Sequence, residues 1–98
     1  MKQEVFNQYT DRICSLFSIE RESLFEKSKK RELSDARYLL YYLCVRRKMK
    51  PCYIEKYMKE NGYVITHSTI LHGVATVSDK VREDKDYESI VRDIERKV

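Results

Sequence analysis

Apolar positions recur every three or four residues along most of the chain, a period that predicts helices and not strands. Phe6, Tyr9, Ile13, Leu16 and Phe17 give one apolar face to a helix from about residue 3 to 18. A short helix over Glu20 to Glu26 follows, with Leu24 and Phe25 turned into the core. After a basic connector, KSKKRE at 27–32, Ser34 is the candidate N-cap of a helix traced by Ala36, Leu39, Leu40, Leu43 and Arg47 and running to about Lys48. The Lys50-Pro51 step is expected to stop it. The residue before a proline is pushed out of the α region, and Pro51 is pre-set for the first turn of a new helix.

That new helix, Pro51 to about Glu60, carries Ile54, Tyr57 and Met58 inward. Asn61-Gly62 is the one strong turn signal, both residues tolerating positive φ. Beyond it, Thr66 can cap a helix reaching about Arg82, with Ile70, Val74, Val77 and Val81 as its stripe. A last amphipathic helix from about 86 to 97 shows Tyr87, Ile90, Val91 and Ile94 on one side. The expected fold is all-α: a compact bundle of about six helices containing a helix-turn-helix, in a single domain over residues 1–98. Two glycines and one proline in the whole chain agree with helices joined by short connections.

No apolar run is long enough to span a membrane, and MKQEVFNQYTDR lacks the apolar centre of a signal peptide, so a soluble, cytoplasmic chain is expected. Cys14, Cys44 and Cys52 are odd in number with no Cys-x-x-Cys pair, which points to reduced thiols. Charge is unevenly spread. Residues 27 to 50 hold nine positive and two negative side chains, whereas the segments on either side are close to balance or slightly acidic. A concentrated basic segment is the electrostatic footprint of a polyanion binder, although a solvated basic face has the same composition.

The stretch NGYVITHSTILH at 61–72 holds both histidines of the chain. They stand five apart, roughly 140° around a helix, where a zinc pair wants four. No carboxylate or thiol sits nearby to complete a metal site or to orient a base for Ser68, and no glycine-rich loop offers a phosphate cradle. Metal, cofactor and nucleotide are therefore not expected, and neither is an enzyme. What remains is the helix end: Thr66, His67, Ser68 and Thr69 occupy a first turn with free N–H groups. In a helix-turn-helix these positions reach base edges in the major groove; ordinary capping by Thr66 with exposed neighbours is the plainer alternative.

From about Ile13 to Val81 the sequence resembles the C-terminal DNA-binding domain of the DnaA family of bacterial replication initiators, a helical domain with a Trp-repressor-like helix-turn-helix. The family's closing motif reads Gly-Arg-Asp-His-Thr-Thr-Val-Leu-His-Ala. Here Ile65, Thr66, His67, Ser68, Thr69, Ile70, Leu71, His72 and Gly73 stand in its Arg-to-Ala positions. Upstream, Leu24-Phe25, the run from Lys27 to Arg31 and Arg37 are similar to the family's paired leucines, basic loop and early-helix arginine. The resemblance implies a minor-groove role for Lys29, Lys30 or Arg31, with Lys27 beside them, a supporting DNA contact for Arg37, and major-groove reading by His67, Ser68 and Thr69. Two departures stand out: Ile65-Thr66 replaces an Arg-Asp pair, and the connection from Ile54 to His67 is longer.

Arg46, Arg47, Lys48 and Lys50 are further candidates for phosphate contact, and His72 is expected beside a phosphate or in solvent. Of Tyr38, Tyr41 and Tyr42, at least one is expected in the core. The Tyr87 to Ile94 stripe is expected to pack on the bundle, a weak homodimer or protein partner through this helix being its alternative use. The functional expectation is a stand-alone double-stranded DNA binder in replication or transcription control, of a kind found in a phage or mobile element. The alternative is a structural or adaptor protein that holds nucleic acid without sequence readout, or an acidic protein partner.

Overall fold

The computed structural model describes residues 1–98 as six helices with no strands: α1 (Lys2–Phe17), α2 (Arg21–Leu24), α3 (Arg31–Arg46), α4 (Pro51–Glu60), α5 (His67–Glu83) and α6 (Lys85–Lys97). The chain is an all-α bundle, as its periodicity predicts. Helix α3 is the axis, packing most extensively on α5 and α1. Its Leu39, Leu40, Leu43 and Tyr41 are buried against Phe6, Tyr9 and Ile13 of α1, Ile54 and Met58 of α4, and Ile70 and Val77 of α5. Each such side chain removed from water contributes about 1.5–3 kcal/mol, so this shared core sets the helix positions. Val91 and Ile94 tie α6 to the same core, whereas Ile90 of the expected stripe is exposed.

Three helices end in the same way. At Ser18, Lys48 and Gly62 the backbone turns left-handed, with φ of 55°, 69° and 91°. The next residue, respectively Ile19, Met49 and Tyr63, folds back so that its N–H donates to the carbonyl of Cys14, Cys44 or Met58 at 2.9–3.0 Å. This is a Schellman motif, with an apolar side chain placed on the core after each turn. Only Gly62 has no Cβ penalty there. Asn61 keeps φ at −96° and instead donates its side-chain amide to the Tyr57 carbonyl at 2.8 Å.

Two boundaries of α3 differ from expectation. The helix starts at Arg31, so Ser34 lies within its first turn and caps nothing; Lys30 is the N-cap, without a side-chain hydrogen bond. Burial of Leu33 and Arg37 on the same face pulls the helix start back past the serine. At the other end the helix stops at Arg46 through left-handed Lys48, before the proline step is reached. Helix α4 does begin at Pro51. No helix is long and apolar enough to cross a membrane.

Candidate nucleic-acid interface

Helices α4 and α5 are joined by the six residues 61–66. Thr66 caps α5: its Oγ1 accepts from the Thr69 N–H at 3.4 Å and lies 3.3 Å from the Thr69 hydroxyl. The two threonine hydroxyls are thus engaged with each other, and Thr69 is half-buried. His67, Ser68, Leu71, His72 and Ala75 are exposed, one side of α5 at spacings of three and four. From His67 to Ser78 the helix carries no Asp, Glu, Lys or Arg, so its first three turns present a polar and apolar surface without fixed charge.

The two histidines face different neighbours. His67 Nε2 lies 3.0 Å from Glu55 Oε1 on α4. The His72 ring meets Tyr38 of α3 edge-on, with centroids 5.6 Å apart. Next to it, Gly73 is buried against the rings of Tyr38 and Tyr41, where a Cβ would fall 2.7 Å from Tyr38 Cδ1 and 3.0 Å from Tyr41 Cδ2. Absence of a side chain at 73 lets α5 approach the tyrosines of α3 closely. Tyr41 is core, Tyr42 is buried and Tyr38 half-buried.

Lys27, Lys29 and Lys30 are exposed on the connector between α2 and α3, and Arg31 is the exposed first residue of α3. Arg37, expected to support a DNA contact, is only 3% exposed, so its own side chain is turned into the protein. Its Nε donates to the Leu24 carbonyl at 2.7 Å, Nη1 to Ser28 at 3.2 Å and Nη2 to the Glu26 carbonyl. The guanidinium plane also lies 4.3 Å from the Tyr63 ring centroid. One side chain therefore holds the backbone of the basic connector to the turn between α4 and α5, since a planar five-donor fork can satisfy several carbonyls at once.

The remaining basic residues form a second group. The ends of α3 are about 22 Å apart at 1.5 Å per residue, so Arg46 is far from Lys30 and Arg31. Arg46 is not free: Nε and Nη2 grip Glu95 of α6 at 2.8 and 3.3 Å. Arg47 and Lys48 are exposed at the corner, and Lys50 is exposed where it caps α4, about 7 Å along that helix from Glu55. Sequence reasoning missed Glu55, Tyr63 and Glu95, because each meets its partner only through the tertiary fold. Asp84 was missed too, although an aspartate just before an amphipathic run is a cap signal: it caps α6 by accepting from the Asp86 and Tyr87 N–H groups at 2.9 and 3.3 Å.

No family model matches the chain, and no solved structure does. Two curated proteins do. The chromosomal replication initiator protein DnaA of Bacteroides thetaiotaomicron is 30% identical over 86 residues, 85% of this chain and 17% of that protein. The protein of the same name from Flavobacterium psychrophilum is 30% identical over 102 residues, covering 100% of this chain and 20% of its own length. The chain thus spans about a fifth of the length of the curated relatives it matches. Along most or all of its length, the chain is similar to the C-terminal part of the chromosomal replication initiator protein DnaA.

Proposed function

We propose that this chain binds double-stranded DNA, with α5 entering the major groove by its N-terminal turns and the connector carrying Lys27, Lys29 and Lys30 lying along the adjacent minor groove. The observation that carries this reading is the Arg37 anchor. It fastens the basic connector to Tyr63, and Tyr63 belongs to the turn that sets the start of α5. Two surfaces suited to one duplex are thereby held in fixed relation, one cationic and one formed by short polar groups on a helix whose first turns carry no Asp, Glu, Lys or Arg. His67 and Ser68 are the base-reading candidates, and the exposed Leu71 can lie against a thymine methyl. Arg31, Arg47, Lys48 and Lys50 meet phosphates, with His72 further along the helix.

The relatives' names favour replication over transcription control as the setting, and carry nothing toward a phage or mobile element. A gel-shift titration on mixed duplexes at low and moderate salt tests the reading. Affinity is expected to fall with a log–log slope of about −0.9 per phosphate neutralised, and Lys30→Ala to lower it on most sequences. No duplex binding at low salt sinks the proposal. One observation favours the second reading, binding without sequence readout: Ile65 is packed into the core, so that position offers no side chain to a base. A selection from random duplexes that enriches no motif decides for it.

A further inference from the structure

We propose that Glu55 is a positioning residue for His67: it fixes which ring nitrogen carries the proton, and so makes His67 a reader of exocyclic amino groups. This rests on the DNA-binding reading above. The Glu55 Oε1 to His67 Nε2 separation is 3.0 Å. An ionised carboxylate only accepts hydrogen bonds, so the proton of this contact sits on Nε2. At a pH where the ring is neutral it carries one N–H, and Nδ1 is left as a bare acceptor; the measurements below are made there.

What surrounds the ring leaves that acceptor in command. His67 is the first residue of α5 and exposed; Thr66 and Thr69 are engaged with each other in the cap, and no Asp, Glu, Lys or Arg follows on α5 until Asp79. In the major groove, adenine N6 and cytosine N4 donate, whereas guanine N7 and O6 and thymine O4 only accept. An Nδ1 lone pair bonds to the first pair of bases and is repelled by the others. The carboxylate on α4 does not touch DNA in this scheme. It decides what the histidine on α5 selects.

The test is a random-duplex selection with the natural chain, Glu55→Ala, Glu55→Lys and His67→Ala, together with ¹⁵N spectra of the His67 ring and circular dichroism to verify folding. The natural chain is expected to show one position where adenine or cytosine is favoured about fivefold, the worth of a single hydrogen bond. That preference disappears in His67→Ala and in Glu55→Ala. In Glu55→Lys the ammonium donates to Nε2, the proton moves to Nδ1, and guanine or thymine is favoured instead. The ¹⁵N shifts report Nε2–H in the natural chain and Nδ1–H in Glu55→Lys, a readout independent of DNA. A His67-dependent preference that stays the same in Glu55→Ala and Glu55→Lys, or a tautomer unchanged in Glu55→Lys, overturns the assignment and leaves DNA binding standing. No duplex binding by the natural chain removes both.

Discussion

The Arg37 guanidinium lies 4.3 Å from the Tyr63 ring centroid while its nitrogens donate to the carbonyls of Leu24, Glu26 and Ser28. A single buried cation thus joins the connector after α2 to the turn before α5. Replacing Arg37 by Met leaves three carbonyls without their donor, and stability is expected to fall by about 3 kcal/mol. Arg37→Lys recovers little of this, since a point charge cannot fork to three acceptors. Urea denaturation of both variants measures the loss. A drop under about 1 kcal/mol for Arg37→Met rules out the anchoring role.

Gly73→Ala sets two effects against each other. Alanine in a helix interior gains up to about 1 kcal/mol over glycine. Against that, the new Cβ lands 2.7 Å from Tyr38 and 3.0 Å from Tyr41, and the Tyr41 ring is fully buried and cannot yield. Overpacking of this kind costs about 1–3 kcal/mol, so the variant is expected to be less stable than the natural chain by about 1 kcal/mol. Adding Tyr38→Leu makes room, and the double variant is expected to recover most of the loss. A thermal melt of the four members of this cycle gives the coupling.

Alkaline pH should unfold the protein in a defined order. Burial pushes the Cys44 thiol from its ordinary 9.0 up to about 12, pushes Tyr87 up to about 12, and raises Tyr41 further still. The folded state therefore holds protons that the unfolded chain releases. The stability linked to these groups is complete below pH 9 and is lost as pH rises toward 12. Urea midpoints measured from pH 8 upward are expected to fall first from about pH 9, the onset set by Cys44 together with the less buried Cys14, whose thiol burial also raises. Cys44→Ala, though less stable overall, is expected to remove the larger part of the fall that begins near pH 9, leaving the part due to Cys14 and, from near pH 10, that of the tyrosines.

Arg46 is held by Glu95 through two hydrogen bonds. Glu95→Gln weakens that grip and removes a negative charge from the basic corner. Duplex affinity is expected to rise a few-fold, and the salt slope to steepen by up to about one counterion. A gel shift across a salt series checks it. An unchanged slope would show that Arg46 stays off the phosphates even when released.

The boundaries of α4 and α5 were the most legible part of the fold, because proline, Asn-Gly and Thr66 each act within a few residues of the boundary they set. The start of α3 was misread for the opposite reason. Ser34 is a good local cap, but a cap is worth about 1 kcal/mol, and burying Leu33 outweighs it. Arg37 was hidden by its residue type. Leu33 and Leu40 stand four before and three after it, so its place on the buried face was available from spacing alone. The partnerships of Arg46 with Glu95 and of His67 with Glu55 have no short-range signature; they exist only because α6 and α4 pack where they do.

The hold of Arg37 on main-chain oxygens has a further consequence. Leu24, Glu26 and Ser28 are gripped by their carbonyls, which every amino acid possesses, so the course of the connector does not depend on the side chains exposed on it. Residues 26, 27, 29 and 30 form an exchangeable cassette on a fixed mount. Their charges and shapes can drift, or be redesigned, while the bundle and α5 keep their geometry.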